Sequence, residues 1–221
     1  NSIGNLSLSN SGILNKTGSN PTVLGTGGSS VNLTNTSTLN ISAGTLNHAS
    51  GSGSHAGTLN VLASAAYQTG GAAVTFDAGA IVSSAGTLLT TGGSASFAMP
   101  TANFTHTGPI VTSGGAVTFT PAINVPALDL SGGSTTFSNN VTAASFTQTG
   151  GELGGSGTLT LGTGAHSWSG SGFGYWSGGG AVIVPSGASL TLSGTGPGNT
   201  FAGRTLQIDS GATVNITGRI E

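Results

Sequence analysis

Five acidic residues and four histidines are the side chains of this sequence best suited to acid–base or metal chemistry. Hydrolysis of a glycosidic bond needs two carboxylates on opposite sides of the bond. Asp77, Asp129, Glu152 and Asp209 are separated by 52, 23 and 57 residues. Only Asp129 and Glu152 are separated by about the length of the sequence repeat described below. Asp129 precedes a Gly-Gly pair whereas Glu152 follows one, so the two side chains should not stack in register. The spacing therefore predicts no carboxylate pair.

The histidines are His48, His55, His106 and His166. Imidazole is the commonest transition-metal ligand, but His48 and His55 are flanked by Gly, Ser and Ala, with no acid nearby. A solvated turn is the better interpretation for these two. The abundant serines lack a base and an orienting acid at a recognisable spacing. We therefore expect no metal site, no cofactor and no enzymatic activity.

Charge is nearly absent from the chain, with three basic and five acidic residues and a net charge of −2. A nucleic-acid-binding protein needs a basic surface, so nucleic acid is excluded as a partner. No apolar run reaches the ~18 residues of a transmembrane segment. The sequence has no cysteine, so neither disulfides nor thiolate metal sites can stabilise it.

An aromatic segment at positions 168–176 contains both tryptophans, and its rings are Trp168, Phe173, Tyr175 and Trp176. Exposed aromatic rings can stack on sugars and anchor recognition sites. The alternative is that these rings fill the interior of the scaffold. The segment is therefore a candidate glycan-binding site, with a structural role as the other interpretation.

Repeats organise the chain. Gly-Gly pairs preceded by Thr or Ser recur in steps of 22, 22, 18 and 18 residues, at Gly70-Gly71, Gly92-Gly93, Gly114-Gly115, Gly132-Gly133 and Gly150-Gly151. The first four pairs lead into short segments that end in Phe76, Phe97, Phe119 and Phe137. Apolar and hydroxyl residues alternate with period two, which is typical of strands. Helical spacing is missing over any useful length.

Strands this short cannot bury a face alone, but a chain that returns every ~18–24 residues stacks each strand on the previous one. We therefore predict an all-β fold, a right-handed parallel β-helix (β-solenoid) of about ten turns with essentially no helix. Residues 1–221 would form one solenoid fragment of a longer repetitive protein, with Gly-Gly/Phe turns over 1–150. A propeller or sandwich is the competing architecture. It is disfavoured because the hairpin dipeptides Asn-Gly and Asp-Gly are absent.

Residues 151–221 contain the clearest repeats. Pro185-Ser-Gly-Ala-Ser-Leu-Thr-Leu-Ser-Gly194 matches Asp209-Ser-Gly-Ala-Thr-Val-Asn-Ile-Thr-Gly218. With Gly-Ser-Gly-Thr-Leu-Thr-Leu and Trp-Ser-Gly-Gly-Gly, this region resembles the repeats of large bacterial surface proteins, namely autotransporter passengers and filamentous-haemagglutinin-like adhesins. The resemblance implies export to the cell surface, right-handed coiling and a role as a stalk or adhesive arm.

The resulting hypothesis is a non-catalytic structural or adhesive module of an exported bacterial surface protein or fibre. The expected location is extracellular. The expected partners are glycans of a host or the environment, or copies of the chain itself arranged end to end or side by side. The alternative is a carbohydrate-binding or carbohydrate-active β-helix of the tailspike or lyase kind, which would use the aromatic segment at 168–176.

Overall fold

The computed structural model describes residues 4–26, 28–170, 174–194 and 199–221. Within these ranges the chain is almost entirely strands and tight turns, and the helical structure is one 3₁₀ turn at Thr101–Asn103. The strands are parallel and stack as a β-solenoid of about nine turns, close to the ten expected. The predicted fold class is confirmed.

Each turn of the solenoid lays down three strands, so the strands form three faces. The first face contains β1 (Leu6–Asn10), β4 (Val31–Asn35), β7 (Ser52–His55), β10 (Ala73–Phe76), β17 (Gly151–Gly154), β20 (Gly174–Ser177) and β23 (Asn199–Ala202). The second contains β2 (Ile13–Lys16), β5 (Thr38–Ile41), β8 (Thr58–Val61), β11 (Ile81–Ser84), β13 (Phe104–His106), β18 (Leu159–Leu161), β21 (Ala181–Val184) and β24 (Thr205–Ile208). The third contains β3 (Thr22–Leu24), β6 (Gly44–His48), β9 (Ala65–Thr69), β19 (Gly164–Trp168), β22 (Ala188–Leu192) and β25 (Thr213–Ile216).

Four longer strands continue around corners in the middle of the chain: β12 (Thr87–Phe97), β14 (Ile110–Phe119), β15 (Ile123–Phe137) and β16 (Val141–Gln148). Successive turns pair in parallel register, with a step of 18 residues from Ala116 to Ser134 and of 25 from Gly174 to Asn199. Because neighbouring strands run parallel and are not joined as hairpins, the competing propeller and sandwich architectures are excluded. The loops between faces absorb the variation in step length.

The Gly-Gly pairs form the corner between the third and first faces. The second glycine of several pairs has a positive φ, 60° at Gly93 and 69° at Gly115, a conformation that L side chains adopt only with strain. A Cβ on Gly93 would also lie 2.1 Å from the carbonyl oxygen of Ala72 in the preceding turn. Glycine is therefore required at this corner both by backbone conformation and by the close approach of consecutive turns.

The core is a continuous column of inward side chains along the solenoid. The Phe residues that end successive strands stack with ring centroids 4.5 Å apart between Phe76 and Phe97, 4.7 Å between Phe97 and Phe119, and 5.5 Å between Phe119 and Phe137. All four rings are buried. Stacked aromatic pairs contribute free energy beyond the area that they bury, so this Phe ladder stabilises the contact between turns.

Candidate functional site

The aromatic segment at 168–176 lies mostly inside the solenoid. Trp168 and Trp176 are both 0% exposed, and their rings stack with centroids 4.2 Å apart and planes at 11°. Neither indole presents a face to solvent, so the expectation that they form an exposed glycan platform is wrong. Side chains on β19 and β20 point alternately toward the core and toward solvent, and Trp168 and Trp176 both occupy core-facing positions. Phe173 lies outside the described residues.

A polar side chain holds the second indole in place. Trp176 Nε1 donates a hydrogen bond of 2.6 Å to Oε1 of Gln148, which is also fully buried. Phe146 lies beside Trp176 at a centroid distance of 6.2 Å, and Phe201 packs edge-on against both indoles. The cluster is a well-packed part of the core, consistent with the structural interpretation of the segment.

Tyr175 is the one described ring of the segment that reaches the surface, with 37% of its area exposed. It lies on the outer side of β20, in register with Glu152 on one neighbouring strand and Thr200 on the other. Glu152 Oε1 also accepts a hydrogen bond from the hydroxyl of Ser177. A single exposed ring beside one carboxylate offers a contact, and its role in glycan binding stays a prediction.

The histidines are core residues. His48 and His55 are each 0% exposed, and His106 and His166 are nearly so. The prediction of a solvated turn around His48 and His55 is therefore wrong, because both occupy inward positions of their strands. His48 Nε2 donates to the carbonyl oxygen of Val31 at 2.8 Å.

Burial keeps the imidazoles of His48, His55 and His106 neutral. Desolvation, with a smaller contribution from His48, lowers the pKa of His55 to about 3. Desolvation likewise lowers the pKa of His106 to about 4 and lowers the pKa of His48. His55 Nε2 lies 3.2 Å from the hydroxyl of Tyr67, whose own pKa is raised by burial. Neutral, enclosed imidazoles of this kind fill space, and the Nε2 atoms of His48 and His55 each have one polar partner in the core.

The carboxylates are distributed over different faces. Asp129 lies on the third face in register with Val111 and Thr147, whereas Glu152 lies on the first face in register with Ser134 and Tyr175. Burial raises the pKa of Asp129 and the Thr147 hydroxyl opposes this. Within the described ranges, no group of three or more His, Asp or Glu side chains is placed to hold a metal ion.

An open groove runs along the outer side of the second face. We call it the amide groove, and its floor consists of the outward residues of five successive strands, Asn15, Asn40, Asn60, Ser83 and Thr105. The groove has a volume of about 490 Å³. Its rim follows the strand ends and includes Ser42, Leu62, Ala85 and Thr107. The sequence alone does not indicate this set, because its members come together only when five turns are aligned.

Arg204 is a buried cation whose role the sequence alone does not indicate. Its guanidinium lies at the corner between the first and second faces and is 5% exposed. It donates to five backbone carbonyl oxygens of the two preceding turns, those of Ser177 at 3.2 Å, Gly157 at 3.0 Å, Ala181 at 3.2 Å, Gly154 at 3.0 Å and Gly155 at 2.9 Å. Burial lowers its pKa. The side chain thus ties three turns together, a structural role.

The last turn leaves inward-facing residues uncovered. Ile208 and Ile216 are 52% and 60% exposed, although their register partners Val184 and Leu192 in the preceding turn are buried. At the first turn, Leu14, Lys16 and Leu24 line a small cavity of about 160 Å³. Apolar surface is therefore present at both end faces of the described solenoid.

The fold and its surfaces define a parallel β-solenoid protein with a largely apolar, aromatic-rich core and a polar exterior that carries few charges. Comparison with protein-family models, with curated proteins and with solved structures gave no match. Among the described residues, none of the helical structure is long and apolar enough to span a membrane.

Proposed function

We propose that this chain is a non-catalytic structural and adhesive module of an exported bacterial surface protein or fibre. The observation that carries the proposal is the continuous stacking of parallel turns along one axis, supported by the Phe ladder and by Arg204. At ~4.8 Å per turn, nine turns give a rod of ~43 Å. A stiff rod with a hydroxyl- and amide-rich surface that carries few charges is suited to spacing and to weak adhesion.

The placement of the titratable groups supports a non-catalytic role. A general acid or base needs a pKa near the working pH and access to substrate. The pKa values of His48, His55 and His106 are lowered and all four histidines are buried. Asp129 and Glu152, the two acids about one turn apart, lie on different faces. The alternative of a carbohydrate-active β-helix required exposed aromatic rings at 168–176, but Trp168 and Trp176 are buried in the core. Incubation with polysaccharides should therefore generate no new reducing ends or unsaturated products, and turnover would overturn this part of the proposal.

Export can be tested on intact cells of the source bacterium. Antibodies raised against the chain should label unpermeabilised cells, and external protease should remove the label while a cytoplasmic marker survives. Label that appears only after permeabilisation would overturn the surface assignment. Beads coated with the chain should adhere to glycan-bearing surfaces more than beads coated with a globular protein of similar charge, and equal adhesion would contradict the adhesive role.

Self-association end to end is part of the same proposal. Unpaired strand edges and exposed apolar residues at the end of a sheet favour pairing with another copy. Sedimentation velocity over a concentration series should show linear oligomers that Ile216→Lys abolishes. The matched control is Ile81→Lys, because Ile81 is 46% exposed but faces outward on the side of the rod. Equal association by both variants would exclude the end face as the contact.

A further inference from the structure

We infer that the amide groove is a binding site for an extended, uncharged polysaccharide. This inference deepens the adhesive function proposed above and rests on it. The groove is formed by β2, β5, β8, β11 and β13, which make one separate five-stranded sheet. Five strands spaced ~4.8 Å apart give a floor ~19 Å long, which accommodates several sugar rings in a row rather than one small molecule.

The groove presents fixed, partly unused hydrogen-bonding groups. Asn40 Nδ2 donates to Asn15 Oδ1 at 2.9 Å, and Asn60 Nδ2 donates to Asn40 Oδ1 at 2.8 Å. Each bond uses one of the two amide hydrogens, so Asn40 and Asn60 retain a second donor. The hydroxyls of Ser83 and Thr105 make no hydrogen bond to the described part of the chain. The Asn ladder holds its members in one orientation, which reduces the entropy lost when a ligand binds.

The character of the lining selects among ligands. The groove residues are all uncharged, so an anionic glycan or a nucleic acid would find no ion-pairing partner there. Amides and hydroxyls match the hydroxyl groups of a neutral sugar, which both donate and accept. Leu62, 54% exposed at the rim, offers an apolar contact for the C–H face of a sugar ring. A neutral glycan therefore satisfies both parts of the lining.

An extended peptide fits the groove less well. Peptides that add to sheets bind a free strand edge, but β5, β8 and β11 are each paired on both sides. The groove lies on the face of the sheet, where side chains rather than backbone groups are available. Recognition must then depend on side-chain hydrogen bonds, which suits a ligand with hydroxyls along its whole length.

The test uses the full chain and a set of soluble neutral polysaccharides, namely an α-glucan, a β-glucan, a galactomannan and a xylan. Affinity electrophoresis and NMR titration should detect binding of at least one of them, with Kd on the order of 1 mM or tighter. Ser83→Arg should weaken binding by about tenfold or more, because it fills the centre of the groove. The control is Thr142→Arg, on the outer side of the same face but outside the groove, which should bind as the unmodified chain does.

A second variant removes a donor without adding bulk. Asn60→Ala should weaken binding severalfold, and circular dichroism should show the same β-rich spectrum for all variants. Failure of every neutral polysaccharide to bind, binding only of an anionic polysaccharide, or unchanged binding by Ser83→Arg and Asn60→Ala would each overturn the inference. These outcomes are independent of the cell-labelling result. Failure of the purified chain to bind polysaccharide would not contradict its location on the cell surface, and absence of the chain from the cell surface would not contradict polysaccharide binding measured with the purified chain.

Discussion

The imidazole of His55 stacks on the ring of Phe76, with centroids 4.5 Å apart and planes at 11°. The two residues lie in register on β7 and β10, so His55 occupies the next position of the Phe ladder that continues to Phe137. The same position in the preceding turns is held by Asn35 and Asn10, whose side chains hydrogen-bond at 2.7 Å. A titratable ring thus lies between a polar and an aromatic part of one internal column.

This arrangement predicts loss of stability in acid. His55 and His106 have pKa values of about 3 and about 4 in the folded protein, against an ordinary value of 6.5. At pH values between the folded pKa and 6.5, the unfolded chain therefore binds more protons than the folded chain does. The free energy of unfolding should be unaffected well above pH 6.5 and should fall below it by ~1.4 kcal/mol per pH unit for each histidine, levelling off near the folded pKa.

Urea unfolding followed by circular dichroism at about pH 7.5 and about pH 5 measures this effect. His55→Phe continues the Phe ladder and removes one titrating group, so its urea midpoint should shift less between the two pH values. Equal pH dependence in His55→Phe and the unmodified chain would show that His55 does not contribute.

Truncation of Trp176 tests whether the aromatic segment is core or surface. Trp176→Ala should lower the free energy of unfolding by about 3–5 kcal/mol, since it leaves a cavity and removes the partner of buried Gln148. Tyr175→Ala, at the neighbouring exposed position, should cost less than ~1 kcal/mol. Chemical denaturation of both variants measures the difference, and a Trp176→Ala chain as stable as Tyr175→Ala would contradict the burial.

Removal of the Arg204 guanidinium should destabilise the last turns. Arg204→Met keeps the aliphatic stem but deprives five backbone carbonyl groups of the guanidinium donor, at a cost of about 3 kcal/mol. The matched control is Arg219→Met, because Arg219 is 68% exposed and pairs with Glu221 at the surface, where ion pairs contribute little. Hydrogen exchange should show faster exchange in β20 and β23 for Arg204→Met alone. Equal exchange rates in Arg204→Met and Arg219→Met would show that the Arg204 guanidinium does not stabilise the contact between these turns.

A methyl group at a Gly-Gly corner should not be tolerated. Gly115 has a φ of 69°, and a Cβ there would lie 2.5 Å from the carbonyl carbon of Gly92. Gly115→Ala should therefore lower the free energy of unfolding by about 2 kcal/mol or more. Gly179→Ala is the control, since its Cβ would meet no heavy atom within 4 Å. Thermal unfolding compares the two, and equal melting temperatures would contradict the close approach of turns.

Much of the fold could be predicted from spacing alone. The steps between Gly-Gly pairs and the Phe residues that follow them define how far the chain travels before it returns, and the structure places those Phe rings on top of one another. The candidate sites were harder to predict. Local flanking residues suggested a solvated His48 and His55 and left Trp176 open to either role, because composition around a residue does not state which side of a strand is inward.

The sequence by itself determined that the chain is all-β, parallel and coiled, since alternation with period two and a repeated return length admit few other ways to bury short apolar runs. Tertiary structure alone decided which polar groups share a surface or a core. The amide groove joins residues from Asn15 to Thr105, and Arg204 reaches carbonyls up to 50 residues away. Such groupings depend on the register between turns, which is set by how corners and cores pack together.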